Sequence, residues 1–154
     1  MTTRTVPPKV EIPSFEKVYA EVQQFYAWQM QLLDSGAAEE WARTFTEDGS
    51  FAPPSLPEPV RGRKNLAAGV RRTTAELAES GEVRRHFLGM LDVRPQADGS
   101  LWVRSYAQII GTLGKAVPCL QLMCVCEDVL VREDGELRVS RRVVSRDDAP
   151  EPWR

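Results

Sequence analysis

The hydrophobic pattern of this chain changes period near residue 82, and that change most narrows what it can fold into. Upstream, Phe15, Val18, Tyr19, Val22, Phe25, Tyr26, Met30 and Leu33 recur at three- and four-residue spacing, the stripe of an amphipathic helix. Ser14 is placed to cap it and Gly36 to stop it. A short second helix is expected over residues 39–45, where Trp41 and Phe45 share one face. A third runs from Gly62 to Ser80 and buries Leu66, Val70 and Leu77. Between them, 50–52 suits a short strand, and Pro53, Pro54, Pro57 and Pro59 form a stiff loop. Downstream, residues 83–93, 101–112, 117–131 and 137–146 read as four strands. The turns between them, at 97–100, 114–115 and 134–136, are short enough to make neighbouring strands antiparallel.

Helices first and an antiparallel meander afterwards specify an α+β fold with the helices on one side of the sheet. The strands are about twice the usual length of roughly five to six residues. Strands that long must twist, so the sheet is expected to curl around its contents and leave a single apolar pocket. With 154 residues the chain suits one domain. Its expected limits are 14–147, between a loose proline-bearing arm at 1–13 and a tail at 148–154.

Charge and cysteine content narrow the function classes. A net charge of −2 with acids interleaved among the arginines lacks the basic face that nucleic acid requires. No apolar run approaches the ~20 residues of a membrane span, and the first 13 residues lack a secretory core. Cys119, Cys124 and Cys126 are an odd set, read as buried reduced thiols of a cytoplasmic protein. A single histidine argues against a zinc site, and no glycine-rich phosphate loop points to a nucleotide; no cofactor is expected. The stretch 120–126 is apolar on both faces of its strand. One cover is expected to be a second subunit, making a homodimer through the sheet or, less often, a trimer.

His86 stands in an apolar strand, where alternation sets it beside Leu88 and Met90 and opposite Phe87 and Leu91. Such a histidine serves either as a satisfied core residue or as an acid–base group with a tunable pKa. Asp34 ends the first helix, and by chain position alone it reads as a capping turn residue. Tyr26, Trp28 and Phe51 are candidate walls for a small apolar or aromatic substrate. Tyr106 and Gln108 carry polar tips suited to a ligand, unless their strand face is the outer one. Trp41 reads as core, and the run Arg141, Arg142, Arg146 as a solvated face or subunit contact.

Several segments in order carry a family resemblance: Phe25 to Gly36, then Trp41, then Phe45 to Phe51, Val60 to Arg63, Arg85 to Phe87, and Arg141 to Val144. Over residues 14–147 the chain resembles the NTF2-like superfamily, the cone-shaped, cystatin-like α+β barrel, and within it the SnoaL-like branch of polyketide cyclases and scytalone dehydratase. The resemblance implies that Asp34 pairs with His86, as an aspartate and a histidine do at the matching places of the dehydratase. It implies a cofactor-independent cyclase or dehydratase acting on a polyketide-like or polycyclic ketone, as in antibiotic biosynthesis. The alternative within the superfamily is a non-catalytic small-molecule binder or a partner subunit of an oxygenase-type complex. Two other family chemistries fit poorly. The isomerase's catalytic aspartate is replaced by the stretch Phe51-Ala52-Pro53, and the epoxide hydrolase's Asp–Arg pattern meets Arg104 but then Tyr106.

Overall fold

A computed structural model describes residues 12–149. The element order is α1 (Phe15–Asp34), α2 (Ala38–Arg43), β1 (Phe45–Ala52), β2 (Val60–Arg61), α3 (Arg63–Ser80), β3 (Glu82–Pro95), β4 (Leu101–Leu113), β5 (Cys119–Glu133) and β6 (Glu136–Arg146). The expected three helices and four long strands are all present. Two further strands extend the meander into one six-stranded sheet, ordered β2-β1-β6-β5-β4-β3. The β1–β6 pairing is parallel and every other pairing antiparallel. β2 was not anticipated, because two residues carry no periodicity. The 1–13 arm and the 148–154 tail fall mostly outside the described residues.

The second helix stops earlier than its pattern suggests, and Phe45 opens β1 instead of closing α2. Thr44 is the reason. Its hydroxyl donates to the Trp41 carbonyl at 2.6 Å, which ends the helix, and its own carbonyl accepts the Val139 N–H of β6 at 2.8 Å. A β-branched residue with a backbone partner waiting in the sheet is easily diverted from helix. The turn joining α1 to α2 is tight. Gly36 has φ +73°, and a Cβ there would lie 2.7 Å from Thr74 Cγ2 of α3, so only glycine lets the turn seat against that helix.

The main core lies between the helices and one sheet face. Val22, Phe45, Val103, Leu130 and Val139 are fully buried there, and Trp41 joins it 4.9 Å from the Phe45 ring. A second cluster, Ala107, Cys124, Cys126 and Val144, occupies the same sheet face further along. Phe51 and Leu88 touch both clusters while staying partly exposed.

β3 departs from simple alternation. Its register with β4 slips between Gly89 and Asp92, and Met90 has φ +53° and is 79% exposed. The bulge corrects the expectation that Met90 shares the face of His86 and that Leu91 opposes it. One extra residue turns Met90 out and brings Leu91 onto the core beside Leu88.

Candidate functional site

The last turn of α1 delivers Asp34 to the free edge of β3. An edge strand presents backbone N–H groups with no strand to receive them. Asp34 Oδ2 accepts one of these, from His86 at 3.1 Å, while Oδ1 lies 2.6 Å from the His86 ring at Nδ1. One carboxylate therefore fixes both the backbone and the imidazole of the same residue. A carboxylate can only accept, so the short contact assigns a proton to Nδ1, and in the neutral ring the lone pair is then on Nε2. No hydrogen bond engages Nε2 among the described residues. The two side chains are 10% and 21% exposed, enough for a ligand to reach them.

Both line a half-open pocket of about 590 Å³ between α1 and β3, with Tyr26, Met30, Leu88 and Leu91 among its walls. Its size suits a small molecule, and its walls combine the apolar side chains with Gln23, Gln31 and Arg85 as well as the Asp34–His86 pair. Leu91 reaches the pocket because of the β3 bulge, which no periodicity argument from the sequence would supply. Among the described residues, no three His, Cys, Asp or Glu side chains gather to hold a metal ion. No helix of the described residues is long and apolar enough to cross a membrane.

Behind Tyr26 lies a buried polar network that the sequence reading missed. Arg142, read there as part of a solvated run, is 3% exposed, and Asp128 is 1% exposed. The guanidinium donates from Nε and Nη2 to the Asp128 carboxylate at 2.9 and 2.7 Å, and from Nη2 to Gln29 Oε1 at 2.8 Å. The Tyr26 hydroxyl donates to Asp128 Oδ2 at 2.7 Å, and Gln29 Nε2 donates to Thr44 Oγ1 at the same distance. Burial and then the Asp128 charge push the Tyr26 phenol well above its ordinary pKa. Burial works against the Arg142 charge, but the Asp128 carboxylate more than offsets it, so the guanidinium stays protonated. The available signal was Asp128 itself, a charge that alternation sets on the same strand face as Cys124, Cys126 and Leu130.

The other expected lining residues divide. Tyr26 lines the pocket, although its hydroxyl is engaged by Asp128. Phe51 packs on the concave sheet face, against Trp41 and both apolar clusters. Trp28 is half-exposed against Phe25 and is not among the pocket walls. Tyr106 and Gln108 require correction. Ala107 is buried on the helix-facing side, so alternation turns its two neighbours to the outer face, where they pair with Val125 and Met123. Tyr106 and Gln108 therefore do not border this pocket.

The cysteines also divide. Cys124 and Cys126 are buried, as expected, but Cys119 is exposed. Burial raises the Cys124 thiol, and for Cys126 it pushes the pKa up to about 12 against the pull of Arg142. Thiolate is the reactive form, so iodoacetamide at pH 8 is expected to label Cys119 alone until the chain unfolds. Mass spectrometry of the native protein should find one adduct. Rapid double or triple labelling would contradict this burial. Because an unfolded thiol ionises near pH 8.5 and the folded Cys126 does not, stability should also fall as pH rises from that value towards about 12.

Comparison with known proteins adds to this geometry. The profile of the SnoaL-like domain family matches residues 17–143. The solved structure of Aln2 from a Streptomyces species is 32% identical, with a TM-score of 0.79 over 90% of this chain and 96% of that one. ActVI-ORFA from Streptomyces coelicolor is 31% identical, with a TM-score of 0.81 over 88% and 98%. A Catenulispora acidiphila protein, solved in complex with S-DNPA, is 34% identical, with a TM-score of 0.75 over 86% and 96%. No curated protein sequence matches significantly.

Proposed function

We propose a reaction from one premise: this chain belongs to the SnoaL-like domain family. It is a cofactor-independent cyclase or dehydratase that acts on a polyketide-like, fused-ring ketone. The observation that carries this reading is the Asp34–His86 pair, held at 2.6 Å in the wall of a half-open pocket. Asp34 fixes the imidazole by Nδ1, so Nε2 removes a proton from the carbon next to the ketone. The resulting imidazolium is stabilised by the carboxylate beside it. In dehydration the carbon–oxygen bond of a β-hydroxyl then breaks, and the departing oxygen takes the proton back from Nε2 and leaves as water. In cyclisation an internal hydroxyl adds to the carbonyl carbon as the C=O π bond breaks, and the proton it loses passes through the same nitrogen to the former carbonyl oxygen, giving a cyclic hemiketal. The S-DNPA complex of the Catenulispora relative supports small-molecule binding in this fold.

The test is to incubate the protein with fused-ring β-hydroxy ketones and follow product mass. Loss of one water identifies dehydration, and an isomer of unchanged mass identifies cyclisation. Binding without turnover across such a panel would favour a non-catalytic binder instead.

The second subunit expected from the sequence finds support on the outer sheet face. Phe87 and Tyr106 are 58% and 40% exposed there, beside half-buried Met123 and Val125. A homodimer through this face is the expected state, and Phe87→Glu should shift sedimentation to the monomer. A wild-type protein that already sediments as a monomer would overturn it.

A further inference from the structure

The pocket has a backbone wall as well as side-chain walls. Gly89 lines it without a side chain, and a Cβ at that position would meet nothing within 4 Å. The peptide edge of β3 therefore faces the cavity directly. β3 ends the sheet, so one of its edges has no neighbouring strand.

Register decides which groups that edge offers. In an antiparallel pair, successive residues alternate between turning both backbone groups to the partner strand and turning both away from it. The β3–β4 register is unbroken from Glu82 to Gly89 and slips only beyond it. His86 donates its N–H to Asp34 Oδ2 at 3.1 Å, which marks it as a residue that faces away from β4. Leu88, two residues on, is another, and its N–H points from the free edge into the pocket that Leu88 lines. About 7 Å of strand separates the two N–H groups, so the carboxylate that holds the first does not reach the second. Among the described residues no acceptor outside the ladder takes the Leu88 N–H.

The imidazole lies on the same side. One carboxylate holds both the ring Nδ1 and the backbone N–H of His86, so the ring is folded towards the free edge. Nε2 as proton acceptor and the Leu88 N–H as donor thus open on one space.

We infer that the Leu88 N–H donates to the ketone oxygen of the substrate while His86 takes the proton from the neighbouring carbon. The C–H electron pair becomes the new carbon–carbon π bond, the carbonyl π pair moves onto oxygen, and the proton stays on Nε2. Charge gathers on that oxygen, and a donor fixed in a strand is already aimed at it. The other donors of the pocket wall sit on flexible side chains, Gln23, Gln31 and Arg85, and Arg85 is exposed and donates to the Arg84 carbonyl. The inference rests on the proton transfer proposed above and assigns the group that stabilises the charge it creates.

The test replaces this N–H alone. Incorporating the α-hydroxy analogue of leucine at position 88 turns the amide into an ester and keeps the side chain. The ladder with β4 keeps its donors, so circular dichroism should match the wild type. Infrared spectra of bound 2-acetonaphthone, carbon-13-labelled at its carbonyl, read the contact without turnover. With the wild type the carbonyl band is expected at lower frequency than in cyclohexane, and with the ester protein that shift should be lost. Leu88→Ala, which shortens the side chain but keeps the N–H, should retain it. For a turned-over ketone, the ester should lower kcat about 10²–10³-fold, the cost of one oxyanion donor. His86→Ala should keep the band shift while turnover falls, so donor and base are read separately. A wild-type band at its cyclohexane position, or no binding of the ketone, would overturn the inference. So would a shift that survives in the ester protein or that disappears in Gln31→Leu instead.

Discussion

His86→Ala is expected to lower kcat for a turned-over ketone by about 10²–10⁴-fold, the range of general acid–base catalysis, with little change in circular dichroism. The side chain stands at the pocket wall and supports no part of the main core, so its loss should spare the fold. Asp34→Asn should move activity in the same direction by a smaller factor. Two donors face that carboxylate, the ring Nδ1–H and the backbone N–H of His86. An amide offers one acceptor and one donor in their place, so one of the two is left unmatched. The chain has a single histidine, so its ring nitrogen signals are unambiguous by NMR. Wild type should show the proton on Nδ1, and Asp34→Asn should show a redistributed tautomer. Near wild-type turnover in His86→Ala would remove the acid–base role. An unaltered tautomer in Asp34→Asn would remove the positioning role of Asp34 alone.

Arg142→Ala is expected to cost about 3–5 kcal/mol of stability, because it leaves Asp128 buried and uncompensated. For a chain of this size that corresponds to a fall in Tm of about 6–20 °C. Replacing both partners, Asp128→Leu with Arg142→Met, should recover much of the loss, since an apolar pair of similar volume carries no desolvation cost. Recovery should stay incomplete, because the Tyr26 hydroxyl and Gln29 lose their partners in the double variant. Melting curves of the three proteins decide this. An Arg142→Ala protein that melts with the wild type would mean that water reaches Asp128 and that the pair is not buried in solution.

The two proposals meet at Tyr26. Its hydroxyl is anchored to Asp128 and its ring lines the pocket, so the buried network and the pocket share a wall on α1. Asp34 lies two helical turns further along the same helix. The network thus fastens to the sheet the element that carries the carboxylate, as a site built on rigid elements requires.

Much of the fold was legible because it depends on local pattern. The α1 stripe, the α3 stripe and the four long strands follow from residue spacing alone, and burial later agreed with it at Val18, Val22, Leu66 and Val70. Pairing of β1 with β6 was not legible, since it joins residues about ninety positions apart and follows from how the curled sheet closes on the helices. The same holds for the end of α2, which Val139 decides by capturing the Thr44 carbonyl.

At the site, residue type and chain position by themselves marked His86 as a polar group in an apolar strand and Asp34 as a charge at a helix end. Family resemblance, not spacing, joined them into a pair. Tertiary structure decided the rest. It set Asp34 against the free edge of β3, where one carboxylate meets both a ring and a backbone donor. It turned Tyr106 and Gln108 outward and buried Arg142 against Asp128. Those outcomes depend on which sheet face meets the helices, and a strand's alternation fixes two faces without saying which is inside. The period change near residue 82 determined that a long curved sheet would follow three helices, and packing of α1 across that sheet determined which side chains line a pocket.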